Sequence, residues 1–234
     1  MRILAIGDVV DPVLSDAVAP QPRQAGSVDV ILSCGDLPAD YLTALAERFR
    51  APLFYVLGNH DGAYWHSAPQ GCTSLDGRLL RWRGLRLFGF GGAPEHNGGS
   101  EQHSEAAIAL RLWRYPLATH RPGGIDIVVT HAPPRLLLVD AAHTPGGRAA
   151  GHRAGREASV AAPLAWSDPG HRGFAAFGRL LARVQPQLWL HGHTHLRYGT
   201  ATRECRVGGT RVVNVYGHCL VDVARPERAD GAPT

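Results

Sequence analysis

The chain has 234 residues, of which 44% are hydrophobic, which is enough for one sizeable core and does not require a second domain. The net charge is +4 and all 24 basic residues are arginine, a bias that coding composition explains as well as a nucleic-acid partner does. Nucleic-acid binding is therefore not favoured. No apolar run approaches the roughly 20 residues that cross a bilayer, so we expect no insertion into a membrane.

The four cysteines, Cys34, Cys72, Cys205 and Cys219, form no Cys-x-x-Cys pair. They are too few for a disulfide scaffold in a chain of this length and lack the spacing of a cysteine zinc site. We therefore expect reduced thiols and a cytoplasmic location. The apolar start of the chain, Met1 to Ile6, precedes no long hydrophobic stretch or cleavage site, and it indicates a first strand rather than a signal peptide.

Five short apolar runs each end in a polar or glycine-containing turn, the pattern of buried strands whose carboxyl ends carry functional loops. They are Ile3 to Ile6, Val28 to Leu32, Leu53 to Leu57, Ile125 to Val129 and Leu188 to Leu190. Open α/β sheets bind ligands outside the carboxyl ends of their strands. We therefore expect these five ends to converge on one crevice.

Helices and hairpins fill the intervals between these strands. Apolar spacing predicts a helix from Pro38 to Arg50, and two more are expected at Ser104 to Tyr115 and Gly173 to Val184. Alternation around turns predicts hairpins. They cover Leu79 to Phe90, turning at Arg83 and Gly84, and the strands Arg206 to Val207 and Arg211 to Tyr216, joined by Gly208 and Gly209. The predicted fold class is α/β, with mixed β-sheets flanked by helices.

Residues 1–223 are predicted to form a single domain, and residues 224–234 a flexible tail. The stretch Ala141 to Pro169 is longer than ordinary connections, and we expect either a mobile loop over the site or a disordered insertion. Four arginines of the first hairpin alternate with Leu and Trp, which indicates a solvated strand face. They are Arg78, Arg81, Arg83 and Arg86.

The polar residues after the five strands form an ordered set. In chain order the motifs are Gly7-Asp8, Gly35-Asp36, Gly58-Asn59-His60-Asp61, Thr130-His131 and Gly192-His193-Thr194-His195. Each is weak alone, because a Gly-Asp turn or a lone histidine after a strand often has a merely structural role. Five in succession, each at a strand end, would require five coincidences, so together they indicate a site.

This ordered set resembles the calcineurin-like metallophosphoesterase superfamily, and the resemblance implies a four-layer αββα sandwich. It also implies two divalent cations that clamp the oxygens of a phosphoryl transfer, with metal-bound hydroxide as the nucleophile. Their implied ligands are Asp36 as the bridge, Asp8 and His195 for the first metal, and Asn59, His131 and His193 for the second. Carboxylate, amide and imidazole ligands suit Mn, Fe or Zn.

By the same resemblance, His60 supports the transition state or protonates the leaving oxygen, a task that suits imidazole near neutral pH. Asp61 could orient it. The sequence departs from the family's usual Asp-x-His first motif, because Val10 stands where the histidine is expected. Either Asp11 or a water then completes the first metal site, and we expect one metal to be bound more loosely than the other.

Two further stretches, His131 to Pro134 and His171 to Phe174, resemble a subgroup with small, phosphodiesterase-like members. Arg172 could contact a phosphate oxygen through its planar guanidinium group, and His171 or His96 could line the same pocket. A capping or surface role is the more ordinary expectation for each of these residues.

These features predict a metal-dependent hydrolase of small phosphoesters. A diester is favoured over a monoester, because a small domain without capping insertions leaves room for two substituents on phosphorus.

Two other classes of function stay open. One is a metal-binding regulatory module with reduced catalysis, which fits Val10, although the retention of His60 argues against it. The other is a nuclease, which salt-dependent binding of nucleic acid would identify.

Overall fold

The protein's structure, a computed structural model, describes residues 1–15, 27–115, 122–135, 170–196 and 203–224. The helices in these residues are α1 (Pro12–Ser15), α2 (Ala39–Phe49), α3 (Glu105–Trp113) and α4 (Ala175–Val184), with a 3-10 helix at Asp61–Trp65. The strands are β1 (Arg2–Gly7), β2 (Val30–Ser33), β3 (Leu53–Tyr55), β4 (Thr73–Ser74), β5 (Arg78–Trp82), β6 (Leu85–Phe90), β7 (Ala93–Pro94), β8 (Gln102–His103), β9 (Ile127–Thr130), β10 (Leu188–His191), β11 (Glu204–Val207), β12 (Thr210–Asn214) and β13 (Gly217–Asp222).

Most strands belong to two mixed sheets. The first sheet has the order β13-β1-β2-β3-β4, and the second has the order β11-β12-β10-β9-β6-β5. The inner pairs of both sheets are parallel, whereas β13, β11 and β5 pair antiparallel at the edges. Strands β7 and β8 form a short two-stranded sheet of their own.

Three apolar layers hold the sheets and helices together. The central layer lies between the two sheets, where Ile3 and Leu32 of the first sheet share a cluster with Val129 and Leu190 of the second. The other face of the first sheet packs on α1 and α2, and that of the second sheet packs on α3 and α4. Strands buried on both faces read as continuous apolar runs. The predicted α/β class and the αββα layering are confirmed.

The carboxyl ends of the central strands open on one end of the sandwich. In the first sheet Ile6 pairs with Ser33, and Ser33 pairs with Tyr55, so β1, β2 and β3 end together. In the second sheet Thr130 of β9 pairs with His191 of β10. The loops after β1 and β10 are joined by a hydrogen bond between the two sheets. All five motifs therefore lie at the same edge.

The helices lie close to their predicted positions, and their ends have local causes. The side-chain oxygen of Ser104 caps α3 by accepting the N–H of Ala107 at 3.2 Å. Arg50, in a left-handed conformation, ends α2. Pro38 and Gly173 lie just outside the helices that were predicted to include them.

Strand β13 is absent from the sequence prediction. It pairs with the whole length of β1, from Arg2 opposite Asp222 to Gly7 opposite Gly217, and most of its residues are only half-buried. Such an edge strand lacks the apolar run that marks the central strands. The stretch 141–169 and the tail 225–234 lie outside the described residues. Within the described ranges, no helix has the length and apolar character needed to cross a membrane.

Candidate metal centre

Three polar side chains converge on one ring nitrogen of a buried histidine. Nε2 of His131 lies 2.9 Å from Oδ1 of Asn59 and 3.1 Å from Nδ1 of His193. The same nitrogen lies 3.4 Å from Oδ2 of Asp36. Asp8 adjoins this group, since one ligand atom each from Asp8, Asp36 and His131 lie within 4.8 Å of one another. Side chains from all five strand ends are thus brought together.

The ring protons of the two histidines point away from this group. Nδ1 of His131 donates to the carbonyl oxygen of Cys34 at 2.8 Å, and a carbonyl can only accept. Nε2 of His193 likewise donates to the carbonyl oxygen of Gly170 at 2.8 Å. Burial lowers the pKa of both histidines to about 3, so each ring is neutral and holds a single proton. The inward nitrogens therefore present lone pairs, as do the amide and carboxylate oxygens beside them.

Buried lone pairs that face one another without a proton are unfavourable unless a cation lies among them. Asp8 also has a buried oxygen that a cation would satisfy. Its Oδ1 accepts the backbone N–H of His193 at 2.8 Å, but no donor in the described part of the chain reaches its buried Oδ2. Burial, with a contribution from Asp36 and Asp61, raises the pKa of Asp8 to about 7. This donor set of carboxylates, amide oxygen and imidazole nitrogens fits Mn, Fe or Zn.

Three of these residues have left-handed backbones. Six non-glycine residues in the described ranges have positive φ, and three of those lie at helix ends or in a hairpin turn. The others are Asp8, Asp36 and His193, with φ of 65°, 57° and 65°. The N–H of Asp8 donates to the carbonyl oxygen of Gly35 at 3.0 Å, and that of Asp36 donates to Oδ2 of Asp61 at 2.8 Å. Strained backbones concentrate at functional sites, where the surroundings hold them.

Two glycines leave room for the carboxylates. A Cβ atom at Gly58 would lie 2.0 Å from Oδ1 of Asp36, and one at Gly192 would lie 2.8 Å from Oδ2 of Asp8. Neither glycine has a positive φ. Their role is close approach of the backbone to the acidic side chains.

Asp61 ties two site loops together, a role that the sequence did not reveal. Its buried Oδ2 accepts the N–H of Asp36 at 2.8 Å and that of Gly58 at 2.7 Å. Burial raises its pKa to about 6. These contacts show that Asp61 joins the loops after β2 and β3. The sequence placed Asp61 only at the end of the Gly58 to Asp61 motif, next to His60.

His60 and His195 lie at the rim of the group. His60 is exposed, and its backbone N–H donates to Oδ1 of Asp36 at 2.8 Å. The ring of His195 packs against that of Tyr216, with centroids 4.7 Å apart. Burial raises the pKa of Asp36, and the nearby His60, His193 and His195 partly oppose this rise. His195 is therefore close enough to Asp36 to act on it electrostatically.

The position of the missing first-motif histidine is open. Val10 is 42% exposed. Asp11, the expected replacement, already uses both carboxylate oxygens, because Oδ1 accepts the N–H of Val13 at 2.9 Å and Oδ2 lies 2.6 Å from Nδ1 of His218. These contacts favour the other expected alternative, a water ligand.

Two histidines for which a surface role was the ordinary expectation lie near His193, His171 in ring contact with it and the exposed His96 beside Gly170. The ring of His171 stacks on that of His193, with centroids 4.9 Å apart and planes at 20°. The ring of His96 lies beside Gly170, where an added Cβ would be 3.2 Å from its Cγ. Arg172, between the stacked histidine and α4, is exposed. The only sequence signal for this arrangement was the resemblance of the stretch that contains His171.

The chain was compared with known proteins and structures. A family model described as calcineurin-like phosphoesterase matches residues 1–197. No curated protein matches. One crystal structure, 17% identical, has a TM-score of 0.56 with 94% of each chain covered. That of TT1561 from Thermus thermophilus, also 17% identical, has a TM-score of 0.55 over 92% of this chain and 89% of its own. A single mutant of Vps29 from Entamoeba histolytica, 14% identical, has a TM-score of 0.40 over 96% and 87%.

At these identities the first two structures show the likeness of the fold alone. The family model covers most of the chain and spans every motif from Asp8 to His195. The chain therefore belongs to the calcineurin-like phosphoesterase family, whose activity is the metal-dependent hydrolysis of phosphoesters.

Proposed function

We propose that the protein is a two-metal phosphodiesterase that cleaves a small phosphoester. The observation that carries this proposal is the group of ligand atoms around Nε2 of His131, where Oδ1 of Asn59, Nδ1 of His193 and Oδ2 of Asp36 lie at 2.9, 3.1 and 3.4 Å. A cation among these atoms removes their mutual repulsion, and a second one beside Oδ2 of Asp8 satisfies that buried oxygen.

The proposed ligand roles are those that the family resemblance implies. They are Asp36 as the bridge, Asn59, His131 and His193 for the second cation, and Asp8 and His195 for the first. When bound, the two cations supply an activated water and offset the charge on the phosphoryl oxygens. The protein fixes the ligands in advance, because the carbonyl groups of Cys34 and Gly170 orient the two buried rings.

The finer parts of the proposal rest on the openness of the site and on its ligands. The exposure of His60 at the rim, within the described part of the chain, supports a diester substrate. The ligands support Mn, Fe or Zn. The engaged oxygens of Asp11 support a weaker first site, completed by water. The four free cysteines support a reducing, cytoplasmic location.

The test of this proposal is hydrolysis by protein that has been chelated and then supplied with Mn²⁺. We expect turnover of bis-p-nitrophenyl phosphate to return with the metal and to exceed that of p-nitrophenyl phosphate. A titration with Mn²⁺ should show two unequal affinities. A folded, metal-loaded protein that hydrolyses neither ester would contradict the proposal and favour the regulatory module.

His60 acts in this proposal as the acid that gives a proton to the leaving oxygen. We expect His60→Gln to lower kcat by roughly 100-fold for a phenyl diester, because a poor leaving group needs that proton. The loss should be smaller for a p-nitrophenyl diester, whose leaving oxygen is more acidic. Calorimetry should show unchanged Mn²⁺ binding.

The control is His66→Gln, which alters an exposed histidine at the end of the same 3-10 helix. Equal losses with both leaving groups would remove His60 from this role.

The other two functions receive different support. The incomplete first site around Val10 keeps the regulatory module open as an alternative. The structure adds little support for a nuclease, because two arginines of the basic hairpin are engaged in ion pairs. Arg83 lies 2.9 Å from Asp29, and Arg86 lies 3.4 Å from Asp126. Salt-dependent binding of DNA or RNA would restore the nuclease as a candidate.

A further inference from the structure

Trp65 is a large aromatic side chain at the surface, close in the chain to the candidate metal centre. It is 71% exposed, and it ends the 3-10 helix that begins directly after His60. Residues three apart share a face of such a helix. Asp61 and Tyr64 are buried on one face, and Gly62 and Trp65 share another. At about 2 Å per residue, the helix places Trp65 roughly 10 Å from His60, a distance that a sugar and a base can span.

The indole of Trp65 is held in a fixed orientation. Its Nε1 donates to Oε1 of Glu101 at 2.6 Å. Glu101 is only 5% exposed, and a carboxylate is rarely buried unless a donor is paired with it. A tryptophan that is merely tolerated at the surface can donate to water. Here the polar edge of the ring faces the protein while most of the side chain is left exposed.

The loop that carries Glu101 is itself held in one shape. It joins β7 to β8, and Oε1 of Gln102 accepts the N–H groups of His96 and Asn97 at 3.0 and 3.1 Å. The N–H of Ala93 donates to the carbonyl oxygen of Glu101 at 3.0 Å. The support for the indole is therefore organised before any ligand binds.

This loop connects Trp65 with the metal centre. At one end, a Cβ on Gly62 would lie 2.5 Å from Oγ of Ser100. At the other end, the ring of His96 lies beside Gly170, whose carbonyl oxygen accepts a hydrogen bond from His193. The loop also lines a shallow, open depression on the surface. Its lining residues are Glu95, His96, Asn97, Gly98, Gly99 and Gln102.

We infer that Trp65 is a stacking platform for an aromatic group of the substrate, and that this group is a nucleobase. The inference rests on the proposed function, because it places the esterified phosphate at the metal centre. An exposed, oriented indole offers its π-face to a flat ring, and stacking of this kind is sequence-tolerant. The adjoining loop carries exposed polar residues, His96 and Asn97, whose character suits the polar edge of a base. The substrate class is therefore a nucleotidyl phosphoester.

The test compares two ligands that differ only in the base. AMP and ribose 5-phosphate are titrated calorimetrically into the Mn²⁺-loaded protein. We expect AMP to bind at least roughly fivefold more tightly, the lower limit for stacking of one base. Trp65→Ala should bring the two affinities together by weakening AMP alone. Trp65→Phe should keep part of the preference, and it serves as the test if the alanine variant does not fold.

The control is Trp113→Ala, which removes a tryptophan that is 79% exposed on α3 and should leave the preference for AMP unchanged. Equal affinities in the wild type, or a full preference in a folded Trp65→Ala variant, would overturn the inference. Hydrolysis of bis-p-nitrophenyl phosphate is measured in parallel. Hydrolysis without a preference for AMP rejects the inference alone, and a Trp65-dependent preference without hydrolysis rejects only the proposed function.

Discussion

Replacing Asp36 with asparagine should abolish metal-restored hydrolysis without unfolding the protein. The amide has the size of the carboxylate, and its oxygen can still accept the N–H of His60, as Oδ1 of Asp36 does at 2.8 Å. Asparagine also tolerates the left-handed backbone at this position, where φ is 57°. What disappears is the negative charge that lets two cations lie close together.

We expect kcat/KM with Mn²⁺ to fall by more than roughly 100-fold, because even residues that only orient metal ligands cost about 10- to 100-fold. Asp40→Asn, which neutralises an exposed carboxylate at the start of α2, should stay close to wild type. Circular dichroism and thermal unfolding verify that both variants fold. Near-wild-type turnover by folded Asp36→Asn would show that this carboxylate is not the bridge.

The carboxyl group of Asp8 should make the metal-free protein less stable as the pH rises. Burial raises its pKa to about 7 from an ordinary value of 3.8. Between these values the unfolded chain releases the proton while the folded protein keeps it, so the free energy of unfolding falls with rising pH. The fall is at most about 1.4 kcal/mol per pH unit, and it is complete once the pH exceeds the folded-state value.

The buried histidines change the free energy of unfolding in the opposite direction over part of this pH range. Burial lowers the pKa of His131 and His193 to about 3, so their contribution to stability grows with pH until the unfolded-state value of 6.5 is passed. A comparison of Asp8→Asn with wild type removes this shared contribution. In chelator, the variant should therefore gain stability relative to wild type as the pH rises from 3.8 to about 7, and keep the gain above that.

Denaturant unfolding in chelator at pH values from about 4 to about 8 measures this gain. Asp222→Asn is the control, because it removes a carboxylate whose side chain is 70% exposed rather than buried. With Mn²⁺ the difference should narrow, since a cation at 100 times its Kd stabilises the wild type by about 2.7 kcal/mol. A constant difference between Asp8→Asn and wild type in chelator would contradict the assigned burial of this charge.

The central strands were predictable because each is short, apolar and ended by a polar turn. Ile3 to Ile6 and Leu188 to Leu190 are buried on both faces, so their sequences carry the signal of a parallel strand. The same signal also misplaced the end of one strand. The prediction extended one strand to Leu57, although β3 ends at Tyr55, because the apolar run continues past the last pair of the ladder.

The site was predictable to the extent that its residues follow strands. Asp8, Asp36 and His131 each follow closely on the end of a central strand. The structure brings one ligand atom from each of them within 4.8 Å of the others. The residues that hold these ligands could not be found in the same way. The link from Asp61 to Asp36 and the link from Trp65 to Glu101 depend on which loops meet in space. Neither pair has a sequence spacing that marks it.

The candidate ligands come from both halves of the sandwich. Asp8, Asp36 and Asn59 follow strands of the first sheet, whereas His131 and His193 follow strands of the second. The hydrogen bond between Asp8 and His193 already spans 185 residues of chain across this seam. A cation held by ligands from both halves would link the two sheets as well as supply chemistry. Its removal should loosen the seam first at the end that carries the motifs, because the apolar layer still holds the centre. The supply of metal would then set how firmly the two halves close.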